Sequence, residues 1–239
     1  MQRYYSKVFW HFTGSPDVNW DDVTMPREIR GWTKSVRDSV SILEMILSSS
    51  KLKAGAPEKI YGRITTEGFC SVSDIPFKDL TYHSEYYGKV AVGFSAEKIY
   101  KHFNPVLYIE PDFPIPIDTE TDNKRKVDLN KKEDDLQAYE LFHNILDFEE
   151  SEEYNEFLDK YLGYLKKFIK ITRFSEKEDE TFYREREWRS KNGDFHFEQE
   201  DIEAVIVPKS YVQEVDRMLK NLEYRHYVPI IPFEFLEKS

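Results

Sequence analysis

The sequence predicts an α+β fold on a mixed sheet, and three observations support this. Short runs rich in aromatic and β-branched residues occur towards both ends of the chain. Amphipathic helical stretches separate them. Of the 239 residues, 40% are hydrophobic and 15% aromatic, enough for one packed core. The expectation is a single domain over 1–239 with a helical pair inserted at about 133–171.

The first strand is expected over Tyr4–Thr13, with Val8, Trp10 and Phe12 on one face and Phe9, His11 and Thr13 on the other. Gly14-Ser15-Pro16-Asp17 ends it. Val36, Val40, Leu43, Ile46 and Leu47 then recur at helical spacing up to Ser48-Ser49-Ser50. Apolar runs at Ile60–Ile64, Gly68–Val72, Val90–Ser95 and Val106–Glu110 read as strands, and Gly88 is placed to cap a helix carrying His83 and Tyr87.

From Pro111 to Lys132 no period is visible, so a long loop is expected. Two helices follow. The second carries an apolar stripe from Tyr154 through Phe157, Tyr161 and Leu165 to Ile169, capped by Ser151. Thr181–Ser190 reads as a strand and Ile202–Val207 as a buried one. A helix bearing Val212, Val215, Leu219 and Leu222 comes next, and Tyr227–Phe235 closes the chain as an edge strand interrupted by Pro229 and Pro232.

A formal net charge of −11 argues against broad attraction to nucleic acid or anionic membrane. The single cysteine, Cys70, excludes an internal disulfide and a thiolate zinc cluster. The histidines show no metal-ligand spacing, so no metal is expected. No apolar run approaches a leader or a membrane span, which predicts a cytoplasmic protein with no membrane partner. Glycine-rich phosphate loops of either common pattern are absent.

The densest functional cluster is Glu185-Arg186-Glu187-Trp188-Arg189. On a strand, Glu185, Glu187 and Arg189 share a face, and two neighbouring carboxylates push their pKa values apart unless a cation intervenes. Such a group orients a hydroxyl or stabilises a cation; equally, it forms cross-strand ion pairs on a solvated edge. His11 and Thr13, at the end of the first strand, either meet a ligand or sit in an aromatic cluster. Ser71 and Ser73 offer hydroxyls at a strand end, or belong to an ordinary strand-to-turn transition. His83 and Tyr87 line a cleft and stack on a planar ligand, or pack structurally.

In order, His-Phe-Thr-Gly at 11–14, Phe-Cys-Ser-Val-Ser-Asp-Ile-Pro at 69–76, His83 with Tyr87-Gly88, Val90–Phe94, Pro105–Tyr108 and Glu-Arg-Glu-Trp-Arg at 185–189 resemble the AbiGi-type abortive-infection proteins of phage defence. The set is also similar to ADP-ribosyltransferases. That resemblance implies a split, mixed or antiparallel sheet and NAD as substrate, with Glu187 catalytic and Glu185 auxiliary. It implies His11, Thr13, Ser71, Ser73 and Tyr87 on the NAD, and Arg189 and His83 orienting an acceptor that is protein, RNA or DNA. The expected function is then an NAD-dependent toxin of a toxin–antitoxin or phage-defence system. The alternative is a non-catalytic antitoxin or defence-complex subunit that masks a cognate partner protein with its acidic surface. A nuclease or phosphotransferase acting on RNA ranks below both.

Overall fold

The computed structural model describes residues 6–61, 64–110, 160–161 and 163–238. The expected loop at 111–132, and most of the inserted helical pair, lie outside them.

Strands β1 (Val8–Phe12), β2 (Lys51–Leu52), β3 (Lys59–Tyr61), β4 (Ile64–Thr65), β5 (Ser71–Ser73) and β6 (Ala91–Ser95) come first. They are followed by β7 (Phe103–Pro105), β8 (Leu107–Ile109), β9 (Ile169–Ile171), β10 (Glu187–Ser190), β11 (Phe195–His196), β12 (Ile202–Val207) and β13 (Ile230–Pro232). Seven of them form the main sheet in the order β13-β12-β6-β1-β5-β10-β7. Only the β12–β13 pair in that sheet is parallel, so the expected mixed α+β architecture is observed. β13 is an edge strand, where the missing donors of Pro229 and Pro232 cost least.

Helix α1 (Val36–Ser49) starts at Ser35, whose side chain accepts from the Asp38 N–H, and ends at Ser50 in the left-handed region. Its buried stripe of Val40, Leu43, Ile46 and Leu47 joins Phe9, Val92, Phe94 and Val205 in the larger core. Each such side chain contributes roughly 1.5–3 kcal/mol relative to exposure. Helix α4 (Val212–Asn221) buries Val215, Met218 and Leu219 against the same core. Trp10 and Phe12, alternating with Phe9 along β1, join Ile75, Leu80 and Ile206 in a second core, as the alternation of β1 predicts. Between them, α2 spans Leu80–Tyr87 and α3 Ala96–His102.

Three local expectations are corrected. Ile169 does not continue a helix: it opens β9, which pairs parallel with β8, because the Phe168 carbonyl accepts from Leu107 N–H and brings the chain into register. Thr181–Ser190 is not one strand. The Thr181 side chain caps a 3-10 turn over Phe182–Glu185, Arg186 is left-handed at φ 45°, and β10 begins only at Glu187. The last strand stops at Pro232, where a short helix, α5 (Phe233–Leu236), takes over.

Candidate functional site

The site forms where β1, β5 and β10 lie side by side. Cross-strand register places Trp10, Ser73 and Glu187 opposite one another, and Ser71 opposite Arg189. β1 and β5 share only the Trp10–Ser73 pair. Next to it the His11 ring bridges the two strands, its Nδ1 donating to the Ser71 carbonyl at 2.9 Å. Helix α2 is held against the end of β1 by two glycines. A Cβ on Gly14 would meet the Tyr87 carbonyl at 2.7 Å and the Gly88 Cα at 2.9 Å, and Gly88 has φ 83°. This approach brings Tyr87 and His83 beside the sheet.

A cavity of about 330 Å³ results, lined among others by His11, Ser71, Ser73, His83, Tyr87, Glu185 and Glu187. Seven of the nine site residues expected from sequence therefore meet around one space. Thr13 does not line it; it is buried, and its hydroxyl donates to the Ser39 carbonyl of α1 at 2.8 Å. Arg189 lies behind the wall at 1% exposure.

Five charged groups hold the floor together. The Lys170 ammonium donates to Glu185 Oε2 at 2.8 Å and to Glu187 Oε2 at 3.4 Å. Arg189 donates Nε and NH2 to the two oxygens of Glu187 at 3.0 and 3.1 Å, and NH2 also to Glu58 at 2.8 Å. Its NH1 serves the carbonyls of Lys167 and Ile169 at 3.1 and 3.3 Å. Tyr87 donates a short hydrogen bond to Glu185, and Tyr108 accepts the Glu187 N–H at 2.8 Å.

The two carboxylates differ in consequence. Burial and the neighbouring Glu187 charge raise the Glu185 pKa, against the pull of Lys170. Burial acts on Glu187 in the same direction, but Arg189 and Lys170 outweigh it and hold that carboxyl low. Both histidines are held neutral: burial takes His83 down to about 3, and burial lowers His11 despite its bond to Ser71.

Glu185 reaches this cluster from the 3-10 turn rather than along a strand. The left-handed Arg186 between the two glutamates is fixed by its carbonyl, which accepts from Asp74 N–H, and by its guanidinium, 2.8 Å from Asp74 Oδ2. Sequence reasoning missed Lys170, Glu58 and Trp20. Lys170 follows a helical apolar stripe and Glu58 follows a proline in a polar stretch, so neither carries a local signal. Trp20 stands in a polar segment before α1, its ring nearly parallel to that of Tyr87 with centroids 6.3 Å apart. Among the described residues no cluster of His, Cys, Asp and Glu has the arrangement of a metal site.

One family profile matches residues 56–227, more than half of the chain; the family is described as "Putative abortive phage resistance protein AbiGi, antitoxin". The chain belongs to the AbiGi family. No match is found among curated proteins or solved structures. The AbiGi match takes in Ser71, Ser73, His83, Tyr87, Lys170 and the two glutamates, and begins after His11 and Trp20.

Membership overturns the expectation of an NAD-dependent ADP-ribosyltransferase toxin, because the AbiGi family is described as an antitoxin. The likeness to ADP-ribosyltransferases gains no support, and neither does NAD or a nucleic-acid acceptor. An antitoxin family implies a cognate toxin as partner. No helix among the described residues is long and apolar enough to cross a membrane.

Proposed function

We propose that this AbiGi protein is the neutralising arm of a phage-resistance pair, acting in the cytoplasm by forming a complex with a cognate toxin protein. The observation that carries this reading is membership of a family described as an antitoxin. Two features support it. A net charge of −11 suits a basic partner, whose approach it accelerates and whose surface it masks. Glu187 is taken up by Arg189 and Lys170, which suits a brace between strands better than a base waiting for a substrate.

Inducible co-expression with the product of the adjacent gene tests the reading. The expected result is growth arrest by that product alone, relief when this chain is present, and a stable complex on size-exclusion chromatography. Growth arrest caused by this chain alone, or failure to capture the adjacent product even at low salt, would overturn it.

A further inference from the structure

The central cavity has a chemical asymmetry that the antitoxin reading leaves unused. Two of its donors are spent: Lys170 is committed to Glu185 and Glu187, and Tyr87 to Glu185. Beside Lys53 at the mouth, several acceptors remain open. The Ser71 carbonyl can only accept, so His11 Nδ1 carries the ring proton and Nε2 presents a lone pair with no hydrogen bond among the described residues. The hydroxyls of Ser71 and Ser73 have no such partner either, although Ser73 is only 9% exposed. Glu58 uses Oε2 on Arg189 and leaves Oε1 open.

Charge and shape point the same way. Asp21, Glu58, Glu185 and Glu187 line the cavity against Lys53 and Lys170, and Arg189 behind the wall leaves one negative charge in excess. Trp20, Tyr87 and the neutral His83 supply aromatic faces, with His83 stacked on Tyr87 at 4.5 Å. The mouth runs past the exposed Asp21, Lys53 and Gly55–Pro57, so a side chain can enter from solvent.

We propose that this cavity receives an arginine side chain from the partner protein. A planar cation with five donors matches a pocket offering acceptors and aromatic faces, and it supplies the missing positive charge. This rests on the antitoxin reading and adds to it where the partner docks and which residue anchors it. Arginine is a frequent anchor in protein interfaces, and a buried one carries a large share of the affinity.

The test uses the full chain with N-acetyl-arginine methylamide as probe and its neutral, near-isosteric citrulline counterpart as control, followed by NMR of the His11 ring and the Trp20 indole. The expected result is saturable shifts of both signals by the arginine probe, roughly tenfold weaker binding of the citrulline probe, and loss of binding in Ser71→Ala/Ser73→Ala without a change in unfolding midpoint. In the complex with the toxin, Trp20→Ala and the double serine variant should each raise Kd by roughly tenfold or more. Equal affinity for the two probes, or shifts that avoid His11 and Trp20, overturns the inference. A toxin complex of unchanged affinity in these variants overturns it while leaving the antitoxin reading intact. Absence of any complex with the unmodified chain removes both.

Discussion

Glu187 and Arg189, two positions apart on β10, face the same way and meet through two parallel hydrogen bonds of 3.0 and 3.1 Å, at 7% and 1% exposure. A strand period of two makes this pairing possible, and burial makes its loss expensive.

Replacing Glu187 by Gln leaves Arg189 and Lys170 short of a charge partner in a buried setting. A loss of about 3–5 kcal/mol is expected in urea unfolding at pH 7. Glu185→Gln should cost much less, since burial and the Glu187 charge already disfavour its ionised form. Equal losses for the two variants would contradict the division of roles between these carboxylates.

Acid should weaken the fold through His83, whose pKa of about 3 lies well below its ordinary 6.5. In that interval the unfolded chain binds a proton that the folded chain refuses, so stability is full above pH 6.5 and falls as pH drops towards 3. His11 is lowered too and acts in the same direction, whereas the raised Glu185 opposes both by taking its proton earlier in the folded state. His83→Phe should keep the stack on Tyr87 and flatten the fall in urea midpoint between pH 7 and pH 5. An unchanged slope in that variant would show that His83 is not the titrating group.

Gly93 sits opposite Trp10 in the β1–β6 pair, where an added Cβ would meet Val8 Cγ1 at 2.6 Å and the Trp10 ring at 2.8 Å. Gly93→Ala should destabilise by about 1–3 kcal/mol through overpacking. A thermal melt that does not move would mean the Trp10 ring yields without cost.

Cys70 is a poor nucleophile. It is 3% exposed, burial pushes its thiol up to about 11, and its Sγ donates to the Leu52 carbonyl at 3.2 Å. Modification by a disulfide reagent at pH 8 should therefore proceed only as fast as the native protein opens. Prompt, stoichiometric labelling would show that this strand end is accessible.

The sequence by itself determined much of the local structure. Apolar spacing fixed α1 and α4, the two faces of β1 follow from alternation, and Ser50 and Gly88 mark helix ends where they were expected. These features depend on residues a few positions apart, which a linear reading contains. It also named seven residues that converge on one cavity.

Only the tertiary structure decided how those residues are used. Lys170 became the counterion of Glu185 and Glu187 because β9 pairs with β8 across a long stretch of sequence. The left-handed Arg186 turned Glu185 off the strand because Asp74, 112 positions earlier, holds both its carbonyl and its guanidinium. His11 entered the cavity because β1 and β5 share a single pair. Protonation, pairing and access are set by desolvation and by charges distant in sequence, so the pattern around Glu185-Arg186-Glu187 shows that chemistry is concentrated there but not what it serves.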